Sequence, residues 1–218
     1  MFFSILNQVS TFSILIACVI GMRRYATTLP VYRPFLFFIW VGAANEVVSI
    51  VLVSIHKNNI PNSNIYALIE YLLLLLIFYR WSETRVKRLQ YAVLLAIGVF
   101  AWTMDDLVFY TLNTINSAFR VFYSLLIVLL SINQVNKLVV FEKKNLLTNT
   151  MFQVCMAFSF YYSYKAFLET FYLLEMPFTD QFYQQLFTIL LFINFFTNIV
   201  YAIALLCMPT KREFTLPY

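Results

Sequence analysis

Seven ionisable residues lie within stretches that are otherwise apolar: Glu46, Glu70, Asp105, Asp106, Arg120, Lys165 and Glu169. A charge at the centre of a bilayer costs about 2.5–3.5 kcal/mol on insertion scales, so such groups face one another, a bundle interior or a wet cavity. Carboxylates there can hold a proton, pair with a base or receive a cation. Lys165 and Glu169, with Tyr162 and Tyr172, recur at three- and four-residue spacing and share one helix face. Two readings follow: an intramembrane ion pair between Lys165 and Glu169, with tyrosine hydroxyls satisfying both, or the lining of a ligand pocket. Glu46 and Glu70 read either as protonated carboxyls bonded across helices or as part of that pocket. Asn194 and Asn198, one turn apart, place two amides on a common face of the last apolar segment.

Other chemistries find little support. His56 is the only histidine, which excludes three-histidine zinc sites and makes histidine-based triads unexpected; it reads as a loop residue. Gly21, Gly42 and Gly98 are the only glycines, too few for a phosphate-cradling loop or a nucleophile elbow. An all-carboxylate metal site has no spacing signature, so neither a metal nor a cofactor is expected. Cys18, Cys155 and Cys207 all fall in apolar segments and read as small packing residues, not as a disulfide framework.

The elements that must position these groups follow from composition. Of 218 residues, 62% are hydrophobic and 11% charged, against about 25% charged in soluble domains. This is the composition of a membrane protein, and spanning helices of about 20 residues account for most of the chain. No stretch remains for a kinase, nucleotide-binding or DNA-binding domain. The first apolar segment has no basic residue before it and no small-residue cleavage site ahead of Arg23 and Arg24, so it reads as a retained helix. Apolar runs between Pro- and Asn-rich breaks place helices at about 3–22, 35–55, 63–80, 89–109, 116–135, 150–173 and 183–207. The expected fold is all-α, a polytopic seven-helix bundle forming one transmembrane domain.

The basic residues set its orientation. Arg23, Arg24 and Arg33 fall in the first connection, Arg80, Arg85, Lys87 and Arg88 in the third, Lys137, Lys143 and Lys144 in the fifth, and Lys211 and Arg212 in the tail. The even connections hold Lys57 alone. Basic loops stay cytoplasmic, which puts the N-terminus outside and the C-terminus in the cytoplasm and requires an odd number of spans. The basic excess thus reports topology and no nucleic-acid partner, and Tyr79 and Trp81 are expected at the cytoplasmic headgroups. At 1.5 Å per residue, Glu46 comes out at the midplane, with Glu70 about 3 Å, Lys165 about 5 Å, Arg120 about 8 Å and Asp105, Asp106 and Glu169 about 10 Å to the outer side. A polar cavity open to the outside, above an apolar cytoplasmic plug, is the expectation.

Seven spans with the N-terminus outside resemble rhodopsin-like receptors and PQ-loop sugar transporters in topology. The seventh segment lacks the retinal lysine of the former, and no Pro-Gln pair of the latter occurs. The run from Asn64-Ile65-Tyr66 through Glu70 to Arg80-Trp81 resembles small uncharacterised seven-helix bacterial membrane proteins, a likeness that covers about a third of the chain. The function expected is a receptor-like binding module in a plasma or bacterial inner membrane. It takes a small polar or cationic ligand from outside and acts through a protein partner at the basic inner loops or the tail. A small-solute or proton-coupled transporter and a structural subunit of a membrane complex are the alternatives.

Overall fold

The computed structural model describes residues 2–82, 86–141 and 145–210. Arg85, Lys143, Lys144 and the segment 211–218, which carry part of the expected partner surface, lie outside the described residues. Among the described residues there are seven α-helices and no strands: α1 (Phe2–Arg24), α2 (Arg33–His56), α3 (Ile60–Trp81), α4 (Val86–Thr103), α5 (Ala118–Phe141), α6 (Thr150–Leu173) and α7 (Asp180–Cys207). Six of them are long and apolar enough to cross a membrane, which makes this a multi-pass membrane protein by length and composition. The exception is α6.

Local sequence explains the helix ends. Pro34 and Pro61 sit in the first turns of α2 and α3, where a missing N–H costs nothing. Asn149 caps α6 by accepting from Phe152 N (3.1 Å) and Thr179 caps α7 by accepting from Phe182 N (3.3 Å). α2 stops at Lys57, whose left-handed backbone (φ 57°) lets its N–H bond the Val53 carbonyl. His56 is therefore the exposed last residue of α2 and not a loop residue. α5 runs through to Phe141, so Lys137 lies on a helix.

The helix expected over 89–109 changes character near its end. Met104–Phe109 is π-helical, closed by Tyr110 N donating to the Asp105 carbonyl. The wider turn frees two carboxylates for the connection to α5: Asp105 Oδ2 accepts from Phe119 N at 2.8 Å and Asp106 Oδ1 from Asn116 Nδ2 at 2.9 Å.

The packing places α1, α2, α3, α5, α6 and α7 in a closed ring, each against the next, with α4 outside it in the groove between α3 and α5. Ser10 bonds the Leu191 carbonyl, Asn198 bonds Ser13, and Arg24 reaches the carbonyls of Leu205, Leu206 and Met208, so α1 and α7 run in the same direction. By contrast, Thr150 meets Ala204 while Tyr164 meets Leu186, which makes α6 antiparallel to α7 along most of its length. At the Arg24 end of the ring, Phe35, Phe38, Phe78, Phe158 and Tyr201 pack together with centroids 5.4–6.4 Å apart, most pairs edge to face. Trp81 joins this cluster against Phe78 and Tyr32 and is only 5% exposed, so it is a core residue and not the expected headgroup anchor.

α4 is held by a close approach. A Cβ at Gly98 would stand 2.1 Å from the Tyr71 ring, whose hydroxyl donates to the Leu94 carbonyl. Gly98→Ala should therefore destabilise the protein by about 1–3 kcal/mol despite the better helix propensity of Ala. At Gly21 a Cβ would come closest to the flexible end of Leu36, at 3.0 Å, with Trp40 and Leu205 at ordinary contact distance, so Gly21→Ala should stay within about 1 kcal/mol of wild type. Denaturant unfolding in detergent compares the two; equal effects would contradict the contact.

Candidate functional site

α6 shows why one helix is less apolar than the rest. Its inward face carries Tyr161, Tyr162, Lys165 and Glu169, while Phe160 and Phe167 are exposed on the opposite side. Averaged over the helix, the polar face lowers the hydropathy.

The ion pairs of that face are made between helices. Lys165 Nζ lies 2.8 Å from Glu70 Oε2 on α3, and Glu169 Oε1 lies 3.3 Å from Arg120 Nη1 on α5. The expected Lys165–Glu169 pair along α6 does not form. Each base instead finds an acid on another helix, where the side chains meet head-on across the interior.

Glu70 is the node of the first cluster and is 5% exposed. Its Oε2 accepts from Lys165 and Tyr123, and its Oε1 accepts from Tyr162 at 2.9 Å. Lys165 also donates to the Tyr123 hydroxyl and lies 5.1–5.7 Å from the ring centroids of Tyr123, Tyr161 and Tyr162. The carboxylate thus has three donors and the ammonium three aromatic faces, as a desolvated pair requires. In the second cluster Glu169 Oε2 accepts from Ser117 Oγ at 2.6 Å, and Arg120 Nη2 donates to Ser63 Oγ and Asn64 Oδ1. Asn64 turns its amide nitrogen to the carbonyls of Leu112 and Thr114, tying α3 to the α4–α5 connection.

The charged members of both clusters line a half-open cavity of about 880 Å³ bounded by helices of the ring. Glu46, Glu70, Arg120, Tyr162, Lys165, Glu169, Asn194 and Asn198 all contribute to its wall, and Lys57 and Asn59 mark the end through which the α2–α3 connection borders it. Asp105 does not line it. Its carboxylate is spent on the first turn of α5, so its expected role as a ligand contact is replaced by that of a helix cap. Asn194 and Asn198 point their amide nitrogens at Ser10 and Ser13, which makes them part of the α1–α7 seam as well as of the wall.

Sequence reasoning missed Tyr123, which joins Glu70 to Lys165, together with Ser63, Asn64 and Ser117, which complete the Arg120–Glu169 cluster. It also missed a polar seam in which Asn62 donates to Asn45 and Ser49 between α2 and α3. The available signal was spacing: Glu46, Ser49 and Val53 fall on one α2 face, and Tyr123 stands one turn from Arg120.

Fold and site together define a multi-pass helical membrane protein with a hydrogen-bonded ionic wall around an internal cavity. No protein-family model, curated protein or solved structure matches this chain.

Removing one member of the Glu70–Lys165 pair strands the other charge and should cost about 3–5 kcal/mol, whereas Glu70→Leu with Lys165→Met together should cost less than the sum. A double-mutant cycle in unfolding free energy should show coupling above about 1 kcal/mol for Lys165 with Glu70 and a clearly smaller value for Lys165 with Glu169. The reverse order would contradict the interhelical pairing.

Proposed function

We propose that the protein is a receptor-like binding module of a plasma or bacterial inner membrane. It admits a small polar or cationic solute from outside and acts through a protein partner on the cytoplasmic side. The observation that carries this reading is the cavity of about 880 Å³, within the range of about 300–1,000 Å³ typical of small-molecule sites. Its wall combines aromatic rings with fixed, hydrogen-bonded charges.

The orientation belongs to the same proposal. The strongly basic odd connections favour a cytoplasmic location for the Arg24 end. The parallel course of α1 and α7 is that of a chain which reverses direction an even number of times between them. α6 lies along α5 and α7, from Gln134 beside Met151 to Ser117 beside Glu169 and from Ala204 beside Thr150 to Leu186 beside Tyr164. A membrane that holds its neighbours therefore holds α6 too, which supports seven spans. The aromatic cluster around Phe158 then lies on the cytoplasmic side of the cavity, and the Lys57–Asn59 border faces outward.

Labelling tests the orientation. With Cys207 replaced by Ser and the buried Cys18 and Cys155 retained, Asn59→Cys should react with a membrane-impermeant maleimide added outside intact cells. Leu147→Cys, exposed in the α5–α6 connection, should react only after permeabilisation. Reaction of Leu147→Cys in intact cells would overturn the topology. For function, nanodisc-held protein incubated with a small-molecule extract should retain one or more solutes saturably, and Ser49→Trp, which fills the cavity, should release them. Accumulation of the retained solute inside proteoliposomes would make the protein a transporter, and retention unaffected by Ser49→Trp would place binding elsewhere.

A further inference from the structure

The charges of the cavity wall are not all paired. Glu70 is matched by Lys165 and Glu169 by Arg120. Glu46 remains: it lines the cavity from α2, and among the described residues its carboxylate has no hydrogen-bond or ion-pair partner. The neighbouring polar groups on the same helix are engaged elsewhere, since Asn45 Oδ1 accepts from Asn62 and Ser49 Oγ accepts from Asn59 and Asn62. Lys57, the next base along α2, is eleven residues away, about 16 Å along the axis.

The surroundings of Glu46 specify what would complete it. Tyr66 from α3 and Tyr161 from α6 line the same cavity and lie within electrostatic reach of the Glu46 carboxylate. Phe38 and Tyr201 add further rings to the wall. Ring faces carry negative potential and attract a cation within about 6 Å. A metal cation takes about six oxygen ligands, and among the described residues no three carboxylate, thiol or imidazole side chains stand together to hold one. The two bases deep in the wall offer an anion little: Lys165 already donates to Glu70 and Tyr123, and Arg120 to Glu169, Ser63 and Asn64, while Lys57 stands only at the border.

We infer that the cavity takes a monovalent organic ammonium, its nitrogen on the Glu46 carboxylate and its apolar part against the tyrosines. The inference rests on the binding-module reading and deepens it by naming the ligand class and the residue that recognises it.

Three probes of nearly one size and different charge test it on the full chain in nanodiscs by titration calorimetry: benzylamine, benzyl alcohol and benzoate. Tetramethylammonium serves as a second cation. At least one cation should bind saturably with a dissociation constant in the millimolar range or tighter, and the neutral and anionic probes should bind at least about tenfold more weakly. Glu46→Gln should weaken the cation by roughly tenfold to a hundredfold while leaving thermal unfolding unchanged, since a charge-assisted contact is lost and no internal partner is stranded. Glu46→Asp should retain part of the affinity. Binding of neither cation, equal binding by the Gln variant, or preferential binding of benzoate or benzyl alcohol would overturn the assignment. Should Glu46→Gln fail to fold, the comparison of probes on wild type decides alone. If a neutral or anionic probe binds as tightly as the cations or tighter and Ser49→Trp abolishes it, the ammonium assignment falls and the binding module stands. If every probe that binds does so equally to Ser49→Trp, both fall.

Discussion

The ionic contact between Glu70 and Lys165 sets the terms for the rest of the molecule. Neither charge can be left in hydrocarbon, and each is met from another helix, so α3 and α6 face each other across the interior. Tyr123 stands between them and brings α5 into the same volume. Once three helices are committed to one point, the others close round it. Arg120 and Glu169 repeat the arrangement nearer the Lys57 end, and α1 and α7 are joined by serine and asparagine hydrogen bonds of the neutral kind. α4 carries no member of the cavity wall and stays outside the ring.

Polar and aromatic groups are divided along the bundle axis. Charged side chains occupy the region around the cavity, where each paired acid has two or more donors. Interlocked rings of Phe35, Phe38, Phe78, Phe158 and Tyr201 occupy the other end, where no ion pair occurs among the described residues. Such rings fill space rigidly, and Phe38 and Tyr201 reach from this cluster into the cavity wall. The helices are thus free to surround a volume at one end because they are locked at the other.

The helices were legible because apolar length and breakers such as Pro61 and Pro177 are local properties of the chain. The identity of the polar wall was nearly as legible, since burying Glu46, Glu70, Arg120, Lys165 and Glu169 in a membrane leaves them few other places to point. Their pairing was not. Lys165 and Glu169 are one turn apart on α6, and nothing in their spacing says that each will meet a different helix; that depends on rotations set by six neighbours at once. Asp105 looked like a wall residue because depth along an axis says nothing about azimuth, and the π-helical turn directs it to Phe119 N as it directs Asp106 to Asn116. Trp81 was misplaced for a related reason: an aromatic residue at a helix end anchors in headgroups unless a partner such as Tyr32 covers it.

The seam between α1 and α7 has a consequence for biogenesis. Its contacts, Ser10 with Leu191, Ser13 with Asn198 and Arg24 with the carbonyls beyond Leu205, join residues more than 180 positions apart. During synthesis α1 is made long before its partner exists: the Ser13 hydroxyl donates to the Ser10 carbonyl within α1, whereas the Ser10 hydroxyl and the Arg24 guanidinium gain their partners only when α7 has been translated. The ring can then close only by lateral docking of two helices already inserted with the same polarity, and Arg24, by capping the carbonyl end of α7, acts as the latch of that final assembly step.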